Sequence, residues 1–193
     1  MLDAVVVAGM SVFLVLALCG TLVLVMVSLR RPTTYPLAVA TGLVVTSLVI
    51  IAITPLNVPL FVGLILALLG VVIGVLGGNP ITRRVLELAT GGRVRETADG
   101  GILLPTSRGD DDAGELQPLL RGGTTIGYLE RLAVVLAVIA GFPEAIAVIV
   151  AIKGIGRFSE LAEAEARERF IIGTMASLLW ACAVGALVRL SIW

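Results

Sequence analysis

The chain has 193 residues, 58% of them hydrophobic and only 15% charged, with a mean hydropathy of +1.08. Soluble domains are about half apolar and about a quarter charged. Here the apolar residues come in blocks of about 20, which excludes a water-soluble globule and makes a lipid bilayer the solvent. Lys+Arg and Asp+Glu are 14 each, so there is no basic footprint for nucleic acid. Histidine is absent, which removes His-ligated metals, His general bases and His-dependent nucleophilic triads.

The first apolar run, Ala4 to Leu29, has 26 residues without a charge. At about 1.5 Å rise per residue it is long enough to cross a hydrocarbon core of about 30 Å. Asp3 precedes it and Arg30-Arg31 follow it, the reverse of a signal peptide's charge order. Basic residues behind the run hold that end in the cytoplasm, so the N-terminus is expected outside. A second run, Leu37 to Thr54, and a third, from about Val58 to Leu76, are joined by an uncharged Pro55-Leu56-Asn57 turn. Gly70, Gly74 and Gly78 repeat every four residues on the third run. Such small residues let a neighbouring backbone approach, and close packing stands in for the hydrophobic effect in lipid. Residues 1–78 are thus expected to form three transmembrane helices.

Residues 79–123 are polar and carry six arginines, as a cytoplasmic loop would. Ile81 to Thr90 reads as a short amphipathic surface helix. Arg93 to Gly123 reads as largely disordered, with Asp110, Asp111 and Asp112 as a solvated tip. The acidic triplet lacks the spacing of a calcium loop. Cys19 and Cys182 lie in apolar runs as packing residues and cannot by themselves make a zinc site. No metal or cofactor is expected.

Residues 124–193 hold the charges. Two apolar stretches flank Gly141-Phe142-Pro143-Glu144, and Pro143 forbids a straight helix through that point. One kinked span and a hairpin both remain open. Lys153, Arg157, Arg167 and Arg169 follow the segment, and keeping them inside favours the hairpin. Glu130, Arg131, Glu144, Lys153, Arg157 and Glu160 form the candidate polar cluster, since intramembrane charges normally pair or snorkel. Glu130 and Glu160 are the expected partners for Lys153 and Arg157. The cluster could bind an ion or an anionic headgroup, or simply anchor helix ends at the interface. Ser159 to Arg169 reads as an amphipathic linker helix capped by Ser159, with Glu163–Arg167 and Glu165–Arg169 pairs. Phe170 to Val188 is the last span, with Gly173, Ser177, Ala181 and Gly185 as a second small-residue face. Arg189 and Trp193 mark an interface.

Three ordered motifs also suggest kinship. Gly123-x-x-Ile126-Gly127-x-Leu129-Glu130-Arg131-Leu132, then Ala151-x-Lys153-x-x-x-Arg157-Phe158, then Ile171-Ile172-Gly173-Thr174 resemble the tail of an uncharacterised bacterial integral membrane family, known only as a domain of unknown function. The resemblance covers about residues 123–183. It implies membrane location, implies no reaction, and marks Glu130, Arg131, Lys153, Arg157 and Thr174 for testing. Larger relatives carry His and Asp in a first half that this His-free chain does not match. A preference for arginine over lysine, 13 to 1, in an Ala-, Val-, Leu- and Gly-rich chain points the same way, to a bacterial source.

The expected fold is therefore an all-α membrane protein, a polytopic bundle of about five to six membrane helices with one broken helix or helical hairpin. The expected role is an interaction or assembly component of the bacterial inner membrane, with a membrane-protein partner or a second copy. A transporter using a charged site at the broken helix, and a membrane enzyme acting on lipid, are the alternatives.

Overall fold

The computed structural model describes residues 2–30, 34–54, 57–89, 123–156 and 164–193. Among these the chain forms six helices and no strand: α1 (Leu2–Arg30), α2 (Thr34–Ile53), α3 (Leu60–Ala89), α4 (Gly123–Ala140), α5 (Ala145–Gly156) and α6 (Ala164–Ile192). Five of them, all but α5, are long and apolar enough to cross a membrane. This is an all-helical, multi-pass membrane protein. The stretch read as a disordered loop and Ser159 lie outside the described residues.

Two boundaries differ from the sequence expectation. The segment from Ile81 is not a separate surface helix, because α3 continues through Pro80 to Ala89. Proline removes one donor, here the one Leu76 C=O would accept, and packing against α4 and α6 holds the rest of the helix together. Likewise the linker helix and the last span, from Ala164 on, are one helix, α6.

Broken segment 141–144 is a helical hairpin. Gly141 has φ +77°, its N–H donates to Val138 C=O (3.1 Å), and Phe142 N–H donates to Ala137 C=O (2.9 Å). This is a Schellman C-cap, in which a left-handed glycine lets two orphan carbonyls be satisfied. Pro143 follows where the helix has already stopped, and Ile146 N–H and Ala147 N–H restart the chain as α5 on Pro143 C=O and Glu144 C=O.

Residue pairings fix the register. Gly63 faces Ile192, Gly70 faces Val188, Gly77 faces Trp180 and Gly173 faces Thr82, so α3 and α6 are antiparallel. Gly74 faces Val135 and Gly78 faces Arg131, so α4 also runs antiparallel to α3. Continuing that register at about 1.5 Å per residue puts Ala140 level with about residue 69 of α3. The end of α4 thus stops roughly 14 Å short of the α3 start, although α4 has 18 residues.

The core lies between α1, α2, α3 and α6, built on Leu14, Leu18, Val44, Ile51, Leu66, Ile73, Trp180 and Leu187. A smaller cluster of Val134, Val135, Leu178 and Ala181 seats the hairpin. Helix α5 adds only half-buried contacts from Ile146, Ile149 and Val150.

Candidate functional site

The polar centre of the molecule is Arg131, 3% exposed, where α3, α4 and α6 meet. Its Nε donates to Val75 C=O (2.8 Å), Nη1 to Ser177 Oγ (3.0 Å) and Nη2 to Asn79 Oδ1 (2.8 Å). The guanidinium also lies over the Tyr128 ring, 5.2 Å from its centroid, and Asn79 Nδ2 donates to Tyr128 Oη (3.2 Å). Gly78 makes room for this: a Cβ there would run into Arg131 Cδ and Nε. A basic side chain in lipid costs about 2.5–3.5 kcal/mol on insertion scales. Here neutral acceptors and a π face offset that cost.

Neighbouring Glu130 points elsewhere, and its Oε2 takes the Lys153 ammonium of α5 in a largely buried ion pair. Glu130 stands 11 residues before Gly141 and Lys153 stands 11 after Phe142, so an antiparallel hairpin brings them level. Lys153 Nζ also sits 5.9 Å from the Phe170 ring centroid of α6. Glu144 is not part of this group. It is exposed on the hairpin turn, 14 residues along from Glu130, at the far end of α4. Arg157 and Glu160 lie outside the described residues. The sequence-level cluster is therefore two separate arrangements, a solitary buried arginine and an ion pair.

The small residues sit in interfaces. Gly63, Gly70 and Gly77, seven apart, open α3 to α6, while Gly74 and Gly78 open it to α4. Added Cβ atoms at Gly70 and Gly74 would come within 2.5 Å of Val188 and Val135 side chains. Gly185 faces Val138 of α4, and Ser177 holds Arg131. Trp180, buried against Gly77, donates its indole N–H to Ile73 C=O (3.1 Å). At the hairpin tip Arg189 Nη1 reaches Ile139 C=O (3.3 Å), and the guanidinium occupies the space a Cβ on Gly141 would need.

Sequence reasoning missed Asn79, Tyr128 and Trp180. The available signal was a single Asn just before Pro80 at the end of an apolar run, and a Tyr one turn before the arginine. Cys19 and Cys182 are free thiols. Among the described residues, no three His, Cys, Asp or Glu side chains are grouped to hold a metal ion.

No family model matches the chain, and neither a curated protein nor a solved structure matches it.

One asymmetry organises the geometry. Arg30, Arg83, Arg84, Lys153, Arg167 and Arg169 lie at the end of the bundle formed by the α1, α3 and α5 C-termini and the α6 N-terminus. Among the described residues only Arg189 is basic near the other end, where Asp3 and Glu144 lie.

Proposed function

We propose that this chain is an interaction or assembly component of the bacterial plasma membrane, whose α4–α5 hairpin is the docking element. The observation that carries this reading is α5. None of its twelve residues is buried, whereas each of the other five helices contributes to the core. At roughly 18 Å it is too short to cross a bilayer of about 30 Å. Val148, Ile152 and Ile155 are 58–78% exposed, and among the described residues nothing fills the space where a Cβ on Gly154 or Gly156 would stand. An apolar half-helix with two open glycines suits close approach by a second helix, from a membrane-protein partner or another copy of this chain. The internal satisfaction of Arg131 and of the Glu130–Lys153 pair supports the same reading, because it commits those charges to the fold.

In this proposal the basic end faces the cytoplasm, which places the N-terminus outside. Helices α1, α2, α3 and α6 cross, while the hairpin enters from the cytoplasmic side and returns. The resemblance of residues 123–183 to the bacterial family fits such a placement.

Gly154→Leu separates docking from folding. Among the described residues nothing lies within 4 Å of the added Cβ, and leucine favours helix by about 1 kcal/mol over glycine. Purification in mild detergent from native membranes is expected to lose a stoichiometric partner, or the homo-oligomer, with Gly154→Leu and to keep it with Gly9→Leu, another open site on α1. Equal retention by both variants overturns the reading. A second reading, ion or solute transport, draws support from the exposed Glu144 on a hairpin tip that stops short of the far side, with Arg189 packed against Gly141 of the same turn. Flux into proteoliposomes that Glu144→Gln abolishes would favour it.

A further inference from the structure

A second polar site lies away from the hairpin. At the basic end the α1 C-terminus, the α2 N-terminus and the last turns of α3 enclose a cavity of about 140 Å³, room for several waters. Ser28, Thr34, Asn79, Arg83, Arg84 and Glu87 supply its polar lining.

Depth comes from α3. Its 30 residues extend about 45 Å, against about 30 Å of hydrocarbon. With Leu60 at one boundary, the other falls near Asn79, and Arg83 and Arg84 stand one turn further out, in the headgroup layer. Charge in the cavity is net positive. Glu87, the only carboxylate lining it among the described residues, is held by Arg84 Nη1 at 2.8 Å. Arg84, its side chain 36% exposed, keeps its Nε buried with no hydrogen-bond partner among the described residues. Thr34 and Leu37 bring the first turn of α2 to the wall, with amide N–H groups that have no acceptor inside the helix and the positive end of its dipole. Guanidinium, hydroxyl and helix N-terminus together are the donor set for a phosphate oxygen. Leu29, 41% exposed on the same rim, gives an attached acyl chain an apolar way out.

We infer that this cavity binds a phosphate-bearing group, supplied by an anionic phospholipid of the leaflet at the basic end. The inference is independent of any docking by α5. Asn79 belongs to both the cavity and the Arg131 network, so an occupied site also stabilises the junction of α3, α4 and α6.

The test uses the full chain in mild detergent, with phosphatidylglycerol, phosphatidylcholine or inorganic phosphate added back. Native mass spectrometry reads bound lipid, and thermal unfolding reads stabilisation. Phosphatidylglycerol is expected to be retained and to raise Tm, and phosphatidylcholine to do neither. Arg84→Gln is expected to lower phosphatidylglycerol retention about five-fold relative to Arg30→Gln, which removes the same charge at the same end but outside the cavity. Thr34→Val, which alters no charge, is expected to lower it by a smaller factor and covers the case in which Arg84→Gln does not fold. If inorganic phosphate alone raises Tm in the wild type and not in Arg84→Gln, the same site takes free phosphate instead of lipid. Equal loss in Arg84→Gln and Arg30→Gln, or equal retention of both lipids, overturns the site.

Discussion

The α3–α6 seam and the α4–α5 hairpin solve the same problem with different mixtures of close contact and polar bonds. Lipid supplies no hydrophobic drive for helices to associate, so they must be held by close contact or by polar bonds. The seam uses close contact. Glycines at 63, 70 and 77 admit Ile192, Val188 and the Trp180 indole against the α3 backbone over about four turns. The hairpin adds polar pins to its close contacts at Gly74 and Gly185: Arg131 to α3 and α6, Lys153 to Glu130, and Arg189 to the Ile139 carbonyl. Many weak contacts make the seam a rigid frame. A few specific ones make the hairpin a separable part, and its outer arm is the one described helix without a buried residue.

That contrast can be broken most severely at Arg131. Lysine keeps the charge but loses the planar fork that reaches Val75, Asn79 and Ser177 at once. Arg131→Lys is expected to cost about 3 kcal/mol, because it leaves a poorly satisfied charge buried. Arg131→Met, which removes the charge, is expected to cost only about 1 kcal/mol. Unfolding in mixed detergent micelles reads both, and a methionine variant less stable than the lysine one contradicts the account. Next comes the seam. A Cβ at Gly77 would lie 2.5–2.8 Å from the Trp180 indole, so Gly77→Ala is expected to lose about 2 kcal/mol by overpacking. Gly42→Ala, with open space around its Cβ, is expected to lose nothing. A neutral Gly77→Ala would show that the seam can give way, and the contrast between frame and pins would fail. Smaller still, Gly141→Ala meets both a positive φ and the Arg189 guanidinium and is expected to cost about 1–2 kcal/mol. Pairing it with Arg189→Ala relieves only the second part, so the double variant should be less unstable than the sum.

Much of this architecture was legible in the chain. Apolar length marked the crossing helices, and Pro143 in the Gly141-Phe142-Pro143-Glu144 break marked where a straight helix had to end, leaving a kinked span and a hairpin open until the left-handed Gly141 cap showed the hairpin. The equal spacing of Glu130 and Lys153 from that break was also there to read. What the sequence hid depends on register between helices. Nothing local to Arg131 says that it meets Val75 and Ser177, or that its neighbour Glu130 turns away from it to Lys153. Nor does Pro80 by itself say whether α3 stops or continues. Propensity argues for a stop, and neighbours on two sides override it.

The ion pair gives the subtlest test of separability. Lys153 and Glu130 are both largely buried and are the only ion pair among the described residues that joins α5 to α4. Removing one partner leaves the other charge in a poor environment, whereas removing both leaves two neutral groups of similar shape. Glu130→Gln is therefore expected to lower the stability of α5 by about 1 kcal/mol, and the Glu130→Gln, Lys153→Met double variant to recover part of that loss. If the hairpin is a part pinned to a rigid frame, the change stays local. Amides 147–156 exchange several-fold faster with deuterium, while amides of α3 and α6 keep their rates. Uniform acceleration in α3, α5 and α6 would mean that the hairpin and the frame unfold as one unit, and the division between close contact and polar pins would describe chemistry without describing cooperativity.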